Sequence, residues 1–440
     1  MNRLDRLDAL LAAASAAGAE AADALLATGA SLSVQRRLGQ VEHLERSEGL
    51  DLGLRVFVGR RQAIVSATDA DPRGFQALAE RAVAMARAVP EDAFGGLGEH
   101  HPYTPIDLEL NDAAEPDADA LLARAALAEE AALSHAGIAS VEAEAGFSRS
   151  EIALATSQGF RGEYARSGHS ISVTAVAGQG TGMERDYDYS SAVHLADLEE
   201  AAGLGHAAAS RALRRLNPAR PATAKRSVVY DPRVAASLLG HLVGALNGAS
   251  VARGTSFLRD RMGQAVLAPG LTVRDDPRRR RGLRSRPFDG EGMPTAPLAL
   301  VEDGVLASWV LDARSARQLG LRSTGHASRG VSGPPSPATT NLWLEGGQGT
   351  PQALMADIAE GIYVTELIGM GVNGVTGDYS RGAAGFMIRG GEIAEPVSGI
   401  TIAGNLKDML LRLRAAGDLT FRRGMDAPTL RVDDLTVAGS

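Results

Sequence analysis

The chain has 440 residues, with 45 Lys and Arg against 53 Asp and Glu, 45% hydrophobic content and no cysteine. Without thiols there can be no disulfide, thiolate zinc site, iron–sulfur cluster or cysteine nucleophile. The net charge of −8 argues against a nucleic-acid protein, because affinity for a polyanion comes largely from many Lys and Arg contacts. At roughly 100–200 residues per domain, the length predicts about two to four domains.

Met1–Asp8 carries acids where a signal peptide needs basic residues, and Glu20 and Asp23 interrupt the Ala-rich run that follows. That run reads as a soluble helix with no membrane segment, and the expected compartment is the cytoplasm. Next, Ser31–Leu38, Leu50–Val58 and Arg61–Thr68 have strand character, with Gly59 and Arg60 as a hairpin turn. Asp71 and Pro72 suit the cap and first position of a helix, whose apolar stripe is Phe75, Leu78, Ala79, Ala82, Val83 and Ala86. Residues 88–117 read as a linker.

The order then recurs: a helix over Ala118–Leu133, several strands over Ala139–Val176, and a long helix over Leu195–Leu216. This suggests a duplicated α+β unit (1–90 and 118–217) inside an N-terminal domain of 1–217, the alternative being two ordinary segments alike by chance. A second linker, Pro218–Lys225, leads to a Gly-rich, mainly antiparallel β domain over 226–440. Its expected strands are Arg226–Tyr230, Leu298–Val301, Val305–Val310, Asn341–Leu344, Gly361–Leu367, Gly369–Gly377, Gly385–Arg389 and Ile400–Ala403, forming a curved or barrel-like sheet. Short helices are expected at Ala313–Leu319, Pro351–Glu360 and Asn405–Arg414. The fold class is therefore α+β.

No two of the nine histidines have the i, i+4 spacing of metal ligands on one helical face, and there is no G-x-S-x-G elbow. Ser380 lies among glycines and reads as a turn residue more readily than a nucleophile. Gly369–Gly374 lacks the Lys and Ser or Thr of a phosphate loop. The run Arg278–Arg281, with Arg284 and Arg286, follows Asp275 and Asp276. It reads as a solvated loop or a patch facing an acidic partner, in preference to a DNA site. The helix over Asp231–Asn247 has a full apolar stripe, and His241 sits at its edge.

The segment Val372–Phe386 (VNGVTGDYSRGAAGF), with Gly391–Val397 (GEIAEPV) and Ile400–Met409 (ITIAGNLKDM), resembles the TldD/PmbA family on its PmbA (TldE) side. Pro287–Gly292 (PFDGEG), Pro294–Thr295 and Thr340–Asn341 resemble its middle motifs. The resemblance implies a two-subunit zinc peptidase in which the TldD-type chain carries an H-E-x-x-x-H helix and a later cysteine ligand. That helix matches Leu238–Leu246 here, so the two histidines fall at Gly240 and Ala245 and the glutamate at His241. The cysteine would lie near Glu366–Gly371, where none exists. No catalytic or metal-ligating residue is therefore expected in this chain, and zinc is expected in a TldD-like partner.

What the resemblance leaves is a non-catalytic subunit supplying one wall of a site for unfolded or extended peptide, which could bind by strand addition. Asn341, Asn373, Asp378, Tyr379, Arg381 and His241 are the expected wall residues, each with a plainer reading as a turn or core contact. The alternatives are a homodimeric peptide-binding protein without proteolytic activity and, last, a nucleic-acid or gyrase-associated factor.

Overall fold

The computed structural model describes residues 2–345 and 347–439. Helix α1 (Arg3–Ala16) starts at a capping box in which the Asn2 and Asp5 side chains each accept from the other's backbone N–H. The chain then runs β1 (Ala21–Arg37), β2 (Gln40–Val58) and β3 (Arg61–Ala67), and α2 (Phe75–Ala88) follows. After an irregular stretch come α3 (Ala118–Leu133), β4 (Ile138–Thr156), β5 (Arg161–Ala177), β6 (Glu184–Ala192) and α4 (Ala201–Arg214). Helix, three strands, helix thus occurs twice.

All six strands form one antiparallel sheet in the order β3-β2-β1-β4-β5-β6. Strand side chains alternate between faces. Ala22, Ala24 and Leu26 bury against α1 and α2, while Val141, Ala143 and Ala145 bury against α3 and α4. Small residues let the helices lie close: a Cβ on Gly205 of α4 would clash with the Ala128 carbonyl of α3. Leu25 and Leu154 face the other way, towards the C-terminal half, in a cluster with Phe160 and Phe288.

The C-terminal half begins with β7 (Ala224–Tyr230), α5 (Pro232–Leu246), α6 (Gly248–Ala252), β8 (Thr272–Asp275), β9 (Leu298–Glu302) and β10 (Val305–Leu306). It continues through α7 (Ala313–Leu319), β11 (Ala327–Ser328), β12 (Ser336–Pro337), β13 (Leu342–Glu345), α8 (Pro351–Met355), β14 (Glu360–Ile368), β15 (Asp378–Arg389) and β16 (Glu392–Asn405). Last come α9 (Leu406–Leu411), β17 (Arg414–Ala415), β18 (Met425–Asp426) and β19 (Leu430–Ala438). Strands β16-β15-β14-β7-β19 are consecutive neighbours, and β16 also pairs with β19. Five strands therefore close on themselves, which removes exposed edges. A second sheet, β10-β9-β8-β13-β18, shares the large core in which α5 is buried. The fold is α+β with mostly antiparallel sheets; β7–β14 and β13–β18 are parallel.

Several elements differ from the sequence reading. Strand β1 starts at Ala21, inside the run expected to be helical, because β2 and β4 pair with it on both sides. Asp23 is a strand residue that pairs with Arg55 and does not break a helix. The helix expected over Leu195–Leu216 is a short 3₁₀ turn, Leu195–Asp197, and then α4. Gly369–Gly377 is a loop with one isolated bridge, Val372 to Tyr379. Strands β6, β8 and β19 were not anticipated. No helix among the described residues is long and apolar enough to cross a membrane.

Candidate functional site

Helix α5 is set by its N-terminus. The Asp231 side chain accepts from the Arg233 N–H, Pro232 takes the first turn, and Tyr363 of β14 donates to Asp231 at 2.9 Å. This anchor fixes the helix rotation, so Val234, Ala235, Leu238, Leu239, Leu242, Ala245 and Leu246 all point into the core. His241 lies half-buried at the edge of that stripe, its ring edge-on to Tyr379 with centroids 6.0 Å apart. Burial, and then the nearby Arg381 cation, hold the His241 pKa below its usual value, so the ring is neutral at pH 7. Its Nε2 is buried without a hydrogen-bond partner. Tyr379 is 1% exposed and its hydroxyl is pushed up to about 12, chiefly by burial.

Arg381 is buried too, and donates to the Ile368 carbonyl at 3.3 Å. His241, Tyr379 and Arg381 thus meet at one place. Asn373 belongs to the adjoining loop and Asp378 opens β15 just after it, and both hold the loop's shape. Asn373 Oδ1 accepts from the N–H groups of Val375 and Thr376, at 2.9 and 3.2 Å. Asp378 accepts from the Thr376 hydroxyl at 2.6 Å and the Asn405 amide at 3.0 Å, which lowers its pKa. Gly371 allows the loop to press on β15, since a Cβ there would clash with the Ser380 carbonyl. Ile368, Met370 and Val375 are left exposed on this segment.

Asn341 lies elsewhere, immediately ahead of β13 of the second sheet. Its Oδ1 accepts from the Arg284 N–H, and its Nδ2 donates to the Asp276 carbonyl and the Ser285 hydroxyl, both at 2.7 Å. The motif Pro287–Gly292 is likewise a scaffold. Buried Asp289 accepts from the N–H groups of Glu291, Met293 and Ala327, and Thr295 donates to the Arg286 carbonyl. The arginine run is largely paired within the chain: Arg281 with Glu109 and Asp197, Arg280 with Glu109, and Arg279 stacked on Phe421.

Sequence reasoning missed the polar junction between the two halves. Asp23 of β1 pairs with Arg55 of β2 and with Arg329 from the loop after β11. The side chains of all three are under 5% exposed. Glu291 lies 3.8 Å from Arg55 and is raised to about 7, by burial and by the neighbouring Asp289. Isolated charges drawn from four distant segments leave no local signal in a sequence.

Models of the PmbA/TldA metallopeptidase family match residues 22–86 as domain 1, 111–216 as the central domain and 223–439 as the C-terminal domain. The chain belongs to the PmbA/TldD metallopeptidase family. It is 37% identical to Metalloprotease PmbA of Escherichia coli, over 93% of this chain and 90% of that one. Its fold superposes with TM-score 0.90 on a Bacteroides thetaiotaomicron protein called a candidate modulator of DNA gyrase, at 27% identity over 99% and 98% of the two chains. It also shares its fold with TldE from Thermococcus kodakarensis: TM-score 0.88, 20% identity, 99% and 100% covered.

The family name implies a metal, and the donor set of this chain does not fit one. On α5 the positions that the sequence resemblance would assign to the two ligand histidines are Gly240 and Ala245, which carry no donor atom, with His241 between them. Among the described residues no three His, Asp or Glu side chains lie close enough together to hold an ion. An open-site zinc needs three protein ligands, as a rule.

Proposed function

We propose that this chain is the non-catalytic, TldE/PmbA-like subunit of a heterodimeric zinc metalloprotease acting on unfolded peptides in the cytoplasm, and that it supplies one wall of the peptide site. The observation that carries this reading is α5. It has the cap, burial and position of a working helix in the core of the C-terminal half, but offers only glycine, a neutral imidazole and a methyl group where metal ligands and a carboxylate base would stand. Water activation by zinc needs that open, carboxylate-assisted site. The exposed apolar side chains of Ile368, Met370 and Val375, beside buried Arg381, are the surface offered to the TldD-like partner and its peptide.

The test is reconstitution. Mixing this chain with a TldD-like protein gives a stable complex that cleaves unfolded peptide, and a chelator or loss of the partner's H-E-x-x-x-H abolishes cleavage. A tight homodimer that binds peptide and refuses such a partner would favour the stand-alone binding protein. The nucleic-acid reading is weakened by the intrachain pairing of Arg279, Arg280 and Arg281.

A further inference from the structure

We propose that the cleft between the helix-free face of the N-terminal sheet and the loops of the C-terminal half binds a peptide carboxylate together with the apolar side chain next to it. The cleft encloses about 520 Å³. Leu25, Ile152, Leu154 and Tyr164 line it from β1, β4 and β5, and Phe288 and Val331 line it from the C-terminal loops. The rings of Tyr164 and Phe288 meet edge-on, with centroids 5.3 Å apart. Apolar walls of this kind favour an aliphatic or aromatic side chain, and few polar groups are needed to orient it.

Three arginines reach the same space: Arg166, Arg284 and Arg286. Arg166 donates to the Leu283 carbonyl, and Arg286 to the carbonyls of Ala327 and Ala338, at 2.9 and 3.4 Å. No hydrogen bond engages the guanidinium of Arg284 among the described residues. None of the three arginines has a carboxylate within 4.0 Å among those residues. Their neighbour Arg329, by contrast, is paired with Asp23. Two acids line the cleft. Asp289 commits its oxygens to three backbone N–H groups, and Asp51 is exposed on β2.

Guanidinium groups keep their proton at any ordinary pH and pair best with a planar carboxylate. Arg286 also holds a buried Nε with no acceptor. A partly buried cation with no carboxylate in contact, beside apolar walls, is costly to maintain. Little water screens the attraction of Arg166 and Arg286 for an anion, although Arg286 already acts on Asp289 from beyond contact, whereas exposed Arg284 is screened by solvent. The cleft therefore suits a carboxylate carried next to a hydrophobic group. A peptide presents one at its C-terminus or on an Asp or Glu side chain. That the carrier is a peptide rests on the function proposed above, whereas the carboxylate site rests on this geometry alone.

The full chain is titrated into three fluorescein-labelled hexapeptides ending in leucine, followed by anisotropy: a free acid, the C-terminal amide, and the amide with glutamate before the leucine. Binding of the free acid at least tenfold tighter than the plain amide supports the site and assigns it to the terminus. Equal binding of the acid and the glutamate peptide, with the plain amide weak, supports it and extends it to side chains. Arg286→Met weakens the acid by roughly tenfold or more, as expected for a lost charge-assisted hydrogen bond, and Arg284→Gln weakens it by roughly two- to fivefold, as expected for a solvent-screened pair. Arg284 is exposed, so Arg284→Gln tests the idea even where Arg286→Met does not fold. Equal affinity for acid and plain amide, no binding of any peptide, or unchanged affinity in folded Arg284→Gln overturns the proposal. If the reconstituted complex still cleaves peptide in that case, the subunit assignment stands and only the carboxylate site falls.

Discussion

Replacing Asp23 by alanine would take the shared carboxylate from two buried guanidinium groups at the junction between the halves, leaving Arg329 with none among the described residues and Arg55 with only Glu291, 3.8 Å away. The side chains are 1%, 4% and 2% exposed for Asp23, Arg55 and Arg329, so water cannot readily take over the lost role. Burial alone would raise the Asp23 pKa, yet the two cations hold it below the usual carboxylate range, which shows that attraction outweighs desolvation here. Removing one member of a buried ion cluster costs about 3–5 kcal/mol. An unfolding entropy of about 2.1 cal/mol/K per residue gives roughly 0.9 kcal/mol per kelvin over 440 residues. Asp23→Ala should therefore lower Tm by about 3–5 °C in scanning calorimetry, if the halves unfold together. The triple change Asp23→Leu, Arg55→Met, Arg329→Met should recover much of that loss, because it removes the orphaned charges as well. A Tm for Asp23→Ala within about 1 °C of the parent, on the same entropy scale, would refute the reasoning.

Three further outcomes are expected. Glu291 has a folded pKa of about 7 against 4.5 ordinarily, so the native state holds a proton that the unfolded chain releases between those values. Stability accordingly falls as pH rises from 4.5 to 7, and Glu291→Gln flattens that slope in urea melts at stepped pH. Gly53 touches the C-terminal half so closely that a Cβ would clash with the Val331 carbonyl; Gly53→Ala should cost about 1–3 kcal/mol and increase protease cutting near Val331. Asn341→Ala removes three hydrogen bonds from a buried side chain and should destabilise by about 1–3 kcal/mol, without weakening binding of the labelled free-acid peptide by more than about twofold if its role is only structural.

What could be read from the sequence was whatever is written locally. Asp71 with Pro72, Asp231 with Pro232, and Gly59 with Arg60 each specify a cap or turn within a few residues, and the structure has helices or a hairpin there. The α+β class followed from such signals. The first part of strand β1, Ala21–Ala30, could not be read that way, since its alanines are poor strand formers and only pairing with β2 and β4 makes them extended. The glycines of 369–377 misled for the opposite reason: their freedom serves a loop pressed against β15. Of the expected wall residues, His241, Tyr379 and Arg381 do meet, because α5 and β15 pack in one core. Asn341 stands ahead of β13, on the other sheet's side of the core. Arg284 and Arg286 are neighbours in the arginine run, but nothing in the sequence links them to Arg166, which only the closing of one half over the other brings into the same cleft.

The account turns on whether α5 can hold a catalytic ion. The direct measurement is zinc per chain, by elemental analysis of the purified full-length protein, paired with hydrolysis of an unfolded peptide by the same sample. The account predicts far less than one zinc per chain and no metal-dependent cleavage until a TldD-like partner is added. One zinc per chain, lost together with peptide hydrolysis when His241 is replaced by alanine, would contradict it.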